Sequence, residues 1–297
     1  MLDIKKVQST NKVTVCGTLS ELNIEEKQTS DGRGYVSGTA TVKVDQEVNG
    51  VMVENEIPVR MFSMRLKSDG NKNAVYDGIV KMKEDFTSLA AAEVPSQATR
   101  VLITSGQVQE NMWLDKQTGQ PKTNYFQISS NFIRKAGSED TDKATFELSG
   151  VIGEIIDEVD KNGDETGRLK IKFIVVGYMG RVDVVELIAE SPNAVNHIRT
   201  NWEKGETVTL AGVVNMTYKV VTWMEEQGFG PAIERRRTES KRELIITSGS
   251  PSGLDEETSY DNDSIMIALE ERKGRIEKLS EKKTNTPSTN KSINVGF

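Results

Sequence analysis

Val13-Thr-Val-Cys-Gly-Thr-Leu-Ser-Glu-Leu22 and Phe146-Glu-Leu-Ser-Gly-Val-Ile-Gly-Glu-Ile155 are two versions of one segment, with Gly17 and Gly150 at the same place in an apolar run. A second pair lies farther on, Val101-Leu-Ile-Thr-Ser-Gly106 and Val208-Thr-Leu-Ala-Gly212. An internal repeat has to be read before any single element, because missing it misassigns the whole fold.

The elements between these anchors run in the same order in both copies. In copy one, β-branched or period-2 runs at 12 to 24, 35 to 45 and 51 to 65 are separated by turn residues such as Asp31-Gly32 and Asn49-Gly50. The period then changes: Val75, Ile79, Met82, Phe86 and Leu89 fall on one helical stripe. Two more strands are expected at 100 to 109 and 124 to 134. Copy two gives strands at 145 to 157, 168 to 178 and 181 to 189, followed by a short helix. Ser191 is its N-cap, Pro192 its first residue, and Val195, Ile198 and Trp202 form one face. Strands at 206 to 223 and 240 to 248 complete the copy.

Three strands, a helix and two strands is the order of the OB-fold, a five-stranded Greek-key barrel. The expected fold is mainly β, with two tandem OB-like barrels, each carrying a helix between its third and fourth strands. Glycine in the first and fourth strands suits the sharp coiling that closes such a sheet. The expected divisions are a first barrel at 1–135, a polar linker at 136–143 and a second barrel at 144–250. An acidic segment with an amphipathic helix follows at 251–283, and then a disordered tail at 284–297. In the helix, Asp263 is a candidate N-cap, and Ile265, Leu269, Ile276 and Leu279 share one side. Gly274 weakens it by roughly 1 kcal/mol.

Composition narrows the chemistry. Among 297 residues there is one histidine, His197, and one cysteine, Cys16, so multi-histidine metal sites, cysteine zinc clusters and internal disulfides are excluded. His197 reads as a packing residue and Cys16 as a buried thiol in a reducing compartment. Asp157 to Asp164 resembles a calcium loop but lacks its bidentate Glu, and reads as a hairpin turn at Asn162-Gly163. No pair of titratable groups accompanies a nucleophile, metal or phosphate loop, so the chain reads as a non-enzyme without a cofactor. No apolar run is long enough for a membrane span, and a cytoplasmic location is expected. The net charge of −7 lies entirely in Leu254–Glu271, which holds seven acids and no base; the remainder has 38 of each sign. A locally basic groove is therefore compatible with the acidic total.

Parity in copy one picks out an outward set. If Val36, Ala40, Val42 and Val44 of strand two and Ile57, Val59 and Met61 of strand three face the core, then Tyr35, Lys43, Arg60 and Phe62, with Arg65 nearby, look outward. Such aromatics beside a guanidinium make a platform for stacking bases; the competing reading is packing on the second copy or another subunit. The loop before the fifth strand holds Trp113, Lys116, Lys122 and Tyr125, either a finger along a phosphate backbone or a hairpin with Trp113 paired to Tyr125. In copy two the same connection is longer, with Trp223, Phe229, Arg235, Arg236, Arg237, Lys241 and Arg242. That cluster suits phosphate neutralisation and strong salt dependence, or else pairing with Glu225, Glu226, Glu234, Glu239 or the acidic stretch. Lys170 and Lys172 form a weaker outer set, because Ile174 and Val176 continue their face.

In these features the chain resembles the OB-fold single-stranded DNA-binding proteins, especially diverged phage and mobile-element types. The likeness rests on the glycine-containing strand pairs, the outward Tyr35, Arg60 and Phe62, and the basic aromatic loops. It implies sequence-tolerant binding of single-stranded DNA, with RNA as the alternative, in replication or recombination. It also implies contacts with replication or recombination proteins through the C-terminal region, and a homo-oligomer. In that family the tail ends in acids and a Phe; here Phe297 is present without the acids. The acidic segment lies before the helix instead, where it could compete for the basic loops. The rival class is a structural or interaction protein, such as a virion component or adaptor, using its barrels as protein interfaces.

Overall fold

The computed structural model describes residues 1–48, 50–115, 117–123, 126–251 and 253–284. Lys116, Tyr125 and the tail with Phe297 lie outside them. Three long strands open the chain, β1 (Asn11–Gln28), β2 (Gly34–Val48) and β3 (Val51–Met64), followed by helix α1 (Ala74–Asp85) and β4 (Arg100–Glu110). A two-residue pairing, β5 (Trp113–Leu114) with β6 (Pro121–Lys122), precedes β7 (Phe126–Ser129) and β8 (Arg134–Lys135). The β1, β2 and β3 meander closes through a parallel β3–β7 pairing at Val59 and Ile128, then antiparallel β7–β4 and β4–β1. This is the expected five-stranded barrel.

The second copy repeats the circuit with β9 (Lys143–Val159), β10 (Glu165–Val176), β11 (Val182–Ala189), α2 (Pro192–Asn201), β12 (Thr207–Glu225) and β13 (Ile233–Gly249). Its parallel closure joins Ile188 of β11 to Ile245 of β13. Alternation fills both interiors: Val36, Ala40, Val42, Ile57 and Val59 are fully buried in one barrel, and Ile171, Phe173 and Leu187 in the other. The anchor glycines are required by contact. A Cβ on Gly17 would stand 2.1 Å from the Lys43 carbonyl oxygen, and one on Gly150 would stand 2.2 Å from that of Ile174. Each lets the first strand cross closely over the second.

Both helices plug their barrels. Ser191 caps α2 by accepting from the Ala194 N–H at 3.2 Å, and Val195, Ile198 and Trp202 are buried as expected. His197 packs edge-on against Trp202, at 6.1 Å between ring centroids. In α1, Tyr76, Ile79 and Met82 are buried, but the helix stops at Asp85. Phe86 and Leu89 lie past its end, because the chain turns extended and the Leu89 N–H bonds to the Leu19 carbonyl at 2.8 Å. The fifth strand is also shorter than the expected 124 to 134.

The barrels are fused. The first third of β1 pairs with β9 from Asn11↔Leu148 to Cys16↔Lys143, so one eleven-stranded sheet runs through both. Gln46 bridges the seam: its amide accepts from the Ala144 N–H at 2.7 Å and donates to the Val214 carbonyl at 2.8 Å. Asn55 accepts from the Met216 N–H at 2.7 Å.

Helix α3 (Asn262–Thr284) packs Ile265 and Ala268 with Ile4, Val176, Val182 and Tyr260 on the second barrel. Its first amides are capped by Asp261, not Asp263; the Ser264 N–H donates to the Asp261 carboxylate at 2.9 Å. Arg272 forms a bidentate pair with buried Glu110 of β4, its Nε at 2.7 Å. The acidic stretch thus belongs to this docking. Among the described residues, none of its acids forms an ion pair with Arg235, Arg236 or Arg237, which pair with Glu225, Glu234 and Glu239.

Three substitutions test these contacts. Gly17→Ala is expected to cost about 2–3 kcal/mol in urea titration, since a backbone carbonyl fills the space. Gly78→Ala, exposed in α1 with open space at its Cβ, should stabilise by about 0.5–1 kcal/mol. Arg272→Ala should cost about 3 kcal/mol by stranding a buried carboxylate, whereas Glu110→Leu with Arg272→Met together should recover most of that loss.

Candidate functional site

Six residues beyond Gly17, Asn23 starts an outward row that crosses every strand of the first barrel. It continues through Thr39, Arg60, Ser129 and Gln107, each the register partner of the one before. The adjacent row carries Glu25, Ser37 and Phe62. These rows floor an open groove of about 1010 Å³, walled by Lys27, Asn131 and Phe132.

The groove has three aromatic rings at or beside it. Phe62 is 54% and Phe132 64% exposed, and half-buried Tyr35 packs on Phe62 with centroids 5.5 Å apart. Two large rings left in water gain nothing from core packing, so their faces are free for a flat ligand. Arg60 has no carboxylate partner among the described residues, whereas Lys27 is tied to Glu25. Lys43 lies outside the groove and pairs with Glu54, which raises its pKa.

Phe132, Gln107, Gln109, Gln127, Ser129 and Asn131 were not among the residues expected from the sequence. Their signal was present: Ser105, Gln107 and Gln109 alternate with Gly106, Val108 and Glu110 on β4, and Gln127 and Ser129 alternate with Phe126 and Ile128 on β7. Parity applied only to the second and third strands passes over them.

The other expected residues stand apart from this groove. Trp113 is half-buried opposite Lys122, which differs from the expected pairing with Tyr125. Lys122 is bound to Asp115, whose carboxyl is held well below its usual range by that bond and by the Thr118 and Gln117 amides. In the second barrel, Lys170 lies 3.5 Å from Glu158, and Lys172 lies 2.6 Å from Glu154, whose pKa it lowers. Strands β12 and β13 run on beyond their barrel as a two-stranded arm. On it Arg235 and Arg237 share one face and Arg236 takes the other. Arg235 binds Glu225 and Arg236 binds Glu234, both at 2.6 Å, and Arg237 binds Glu239. Each of these three arginines thus has a glutamate beside it. Phe229 at the tip is 95% exposed and Trp223 44%. Lys241 and Arg242 lie near the arm's base, Arg242 lining a second cleft with Glu110, Glu186 and Arg272.

The second barrel does not reproduce the groove. Six residues beyond Gly150 its row reads Ile156, Lys170, Ile188 and Ile245, and two residues past Ile188 the place of Phe62 is taken by Glu190. Arg168 is held there by Glu158, Glu190 and Glu243 at 3.3, 3.6 and 2.7 Å. At Asp157–Asp164 the Asp160 carboxylate accepts the Asn162 and Asp164 amides, which closes the hairpin turn. Among the described residues no cluster of three or more His, Cys, Asp or Glu could hold a metal, and no helix is long and apolar enough to cross a membrane.

The wild-type single-stranded DNA-binding protein from Thermus aquaticus is a similar solved structure, with a TM-score of 0.49 and 12% identity over 86% of this chain and 99% of that one. A deletion variant of the same protein gives 0.49 and 11% over 84% and 97%. No curated protein matches the sequence. The YorF family model matches residues 9–283, nearly the whole chain, and the protein belongs to the YorF family.

Proposed function

We propose that this protein binds single-stranded DNA along the groove of its first barrel, in the setting of replication or recombination. The observation that carries the reading is the exposed Phe62, packed with Tyr35 and placed beside unpaired Arg60 on the outer face of an OB barrel. Bases stack on the rings, at about 1–3 kcal/mol each, and the guanidinium takes a phosphate. The second barrel, with Glu190 in the aromatic position, serves as scaffold. The arm contributes less per arginine, since each exchanges a carboxylate for a phosphate with little net gain.

A second reading, an interaction protein, draws on Tyr218, Val220 and Met224, which are exposed along one face of the arm. It predicts no oligonucleotide binding.

Fluorescence anisotropy with labelled oligo-dT separates the two. Micromolar or tighter binding is expected, and Phe62→Ala should weaken it about tenfold, whereas Phe62→Tyr should not. With one unpaired cation in the groove, the slope of log affinity against log salt should be about −0.7, and Arg60→Ala should bring it close to zero. Absence of binding at low salt would overturn the proposal. A slope of about −3 or steeper would move the contact to the arm.

A further inference from the structure

The groove of the first barrel does not end at its wall. Asn131 and Phe132 also line a second cavity, of about 460 Å³, between helix α1 and the segment that leads into β8. Strand β4 runs along both, with Ser105 and Gln107 in the groove and Leu102 and Thr104 in the cleft. The Phe132 ring, exposed to water, therefore stands as a ridge with a hollow on either side.

That ridge is held in place. The buried Ser130 hydroxyl accepts from the Phe132 N–H at 3.3 Å and donates to the Phe132 carbonyl at 3.2 Å. Toward β3, the Ser130 N–H donates to the Arg60 carbonyl at 2.9 Å, and Asn131 Oδ1 accepts from the Phe62 N–H at 3.0 Å. The segment is thus tied to the two residues that carry the stacking site. An aromatic ring on a pinned backbone offers contact area at little ordering cost.

The cleft beyond the ridge suits a nucleotide. Val75, Met82, Phe86 and Ile133 give it apolar walls, and Gly78 adds no side chain, with nothing within 4 Å of the place its Cβ would take. A hollow of a few hundred Å³ with such walls accommodates a flat ring. Lys135 stands over the Phe86 ring, 5.9 Å from its centroid, and has no carboxylate partner among the described residues. Lys81 and Arg134, by contrast, are occupied by Asp85 and Asp140 at 3.7 and 3.5 Å. An apolar hollow continuous with the groove, with a free cation at its edge, matches a base and its phosphate.

Resting on the single-stranded DNA reading above, we infer that the strand leaves the groove over Phe132 and seats its next base in the α1 cleft, with a phosphate at Lys135. The path then runs from Tyr35 and Phe62 across the barrel to the helix.

Fluorescence anisotropy of a labelled dT 15-mer with variants of the full chain tests this at Gly78. Ala, Leu and Glu are all better helix formers than the exposed glycine, so each variant should melt at or above the unaltered protein. Gly78→Ala should bind within about twofold of it. Gly78→Leu, which fills the cleft, and Gly78→Glu, which adds a negative charge there, should each weaken binding about tenfold. The salt slope of about −0.7 expected for the groove alone should steepen to about −1.4 for this longer strand, and Lys135→Gln should return it to about −0.7. Full affinity in Gly78→Leu, or a slope that Lys135→Gln leaves unchanged, would overturn the path. Single-strand binding in the groove would then still stand on the loss caused by Phe62→Ala. Failure of the unaltered protein to bind the 15-mer would overturn both.

Discussion

The structure depends on the pairing of β1 with β9. A closed barrel has no free edge, yet β1 is long enough to close its own barrel on β2 and β4 and still offer Asn11–Cys16 to the second copy. Where the two barrels meet, backbone groups would be buried without partners. Gln46 and Asn55 supply those partners to Ala144, Val214 and Met216. Gln46, which both donates and accepts across the seam, is costly to bury in any other register. The docking of α3 through Glu110 and Arg272 then ties the C-terminal segment to both barrels.

Fusion gives the two copies different surroundings. The outer row of the second barrel has Ile188 and Ile245 nearly fully buried, with β4 of the first barrel and α3 packed over β11. A face enclosed in this way can be apolar, and it need not remain open to a ligand. The first barrel keeps the corresponding row open, and there the same register positions carry Arg60 and Ser129. The repeat therefore preserves what closes a barrel, namely Gly17, Gly150 and the core valines and isoleucines, and changes what faces outward.

That division also explains what could be read from the sequence. Strand order, both helices and the inward set follow from period and turn chemistry, because core positions are constrained by packing. Tyr35, Arg60 and Phe62 were legible because parity alone turns them outward. The groove's other wall was not. Gln107, Gln127 and Asn131 come from three segments that are joined only by tertiary pairing, and uncharged polar residues carry no mark that separates a floor from ordinary surface. The arm obeys a related constraint. Arg235-Arg236-Arg237 is dense in sequence, but a strand puts neighbours on opposite faces, and each guanidinium finds a glutamate across or along the ribbon.

Charge completes the argument. An excess of seven acids, folded under the second barrel and along α3, repels a polyanion weakly at a distance, since surface charges more than about 10 Å apart are largely screened at ordinary ionic strength. Close to the groove, the basic residues other than Arg60 are mostly spent on nearby carboxylates. A strand lying in this groove would meet one unpaired cation, Arg60, and counterion release, which needs several free cations along the path, would be a small part of its binding. On the proposed reading the binding energy comes from the exposed rings and the hydrogen-bonding groups that line the groove of the first barrel.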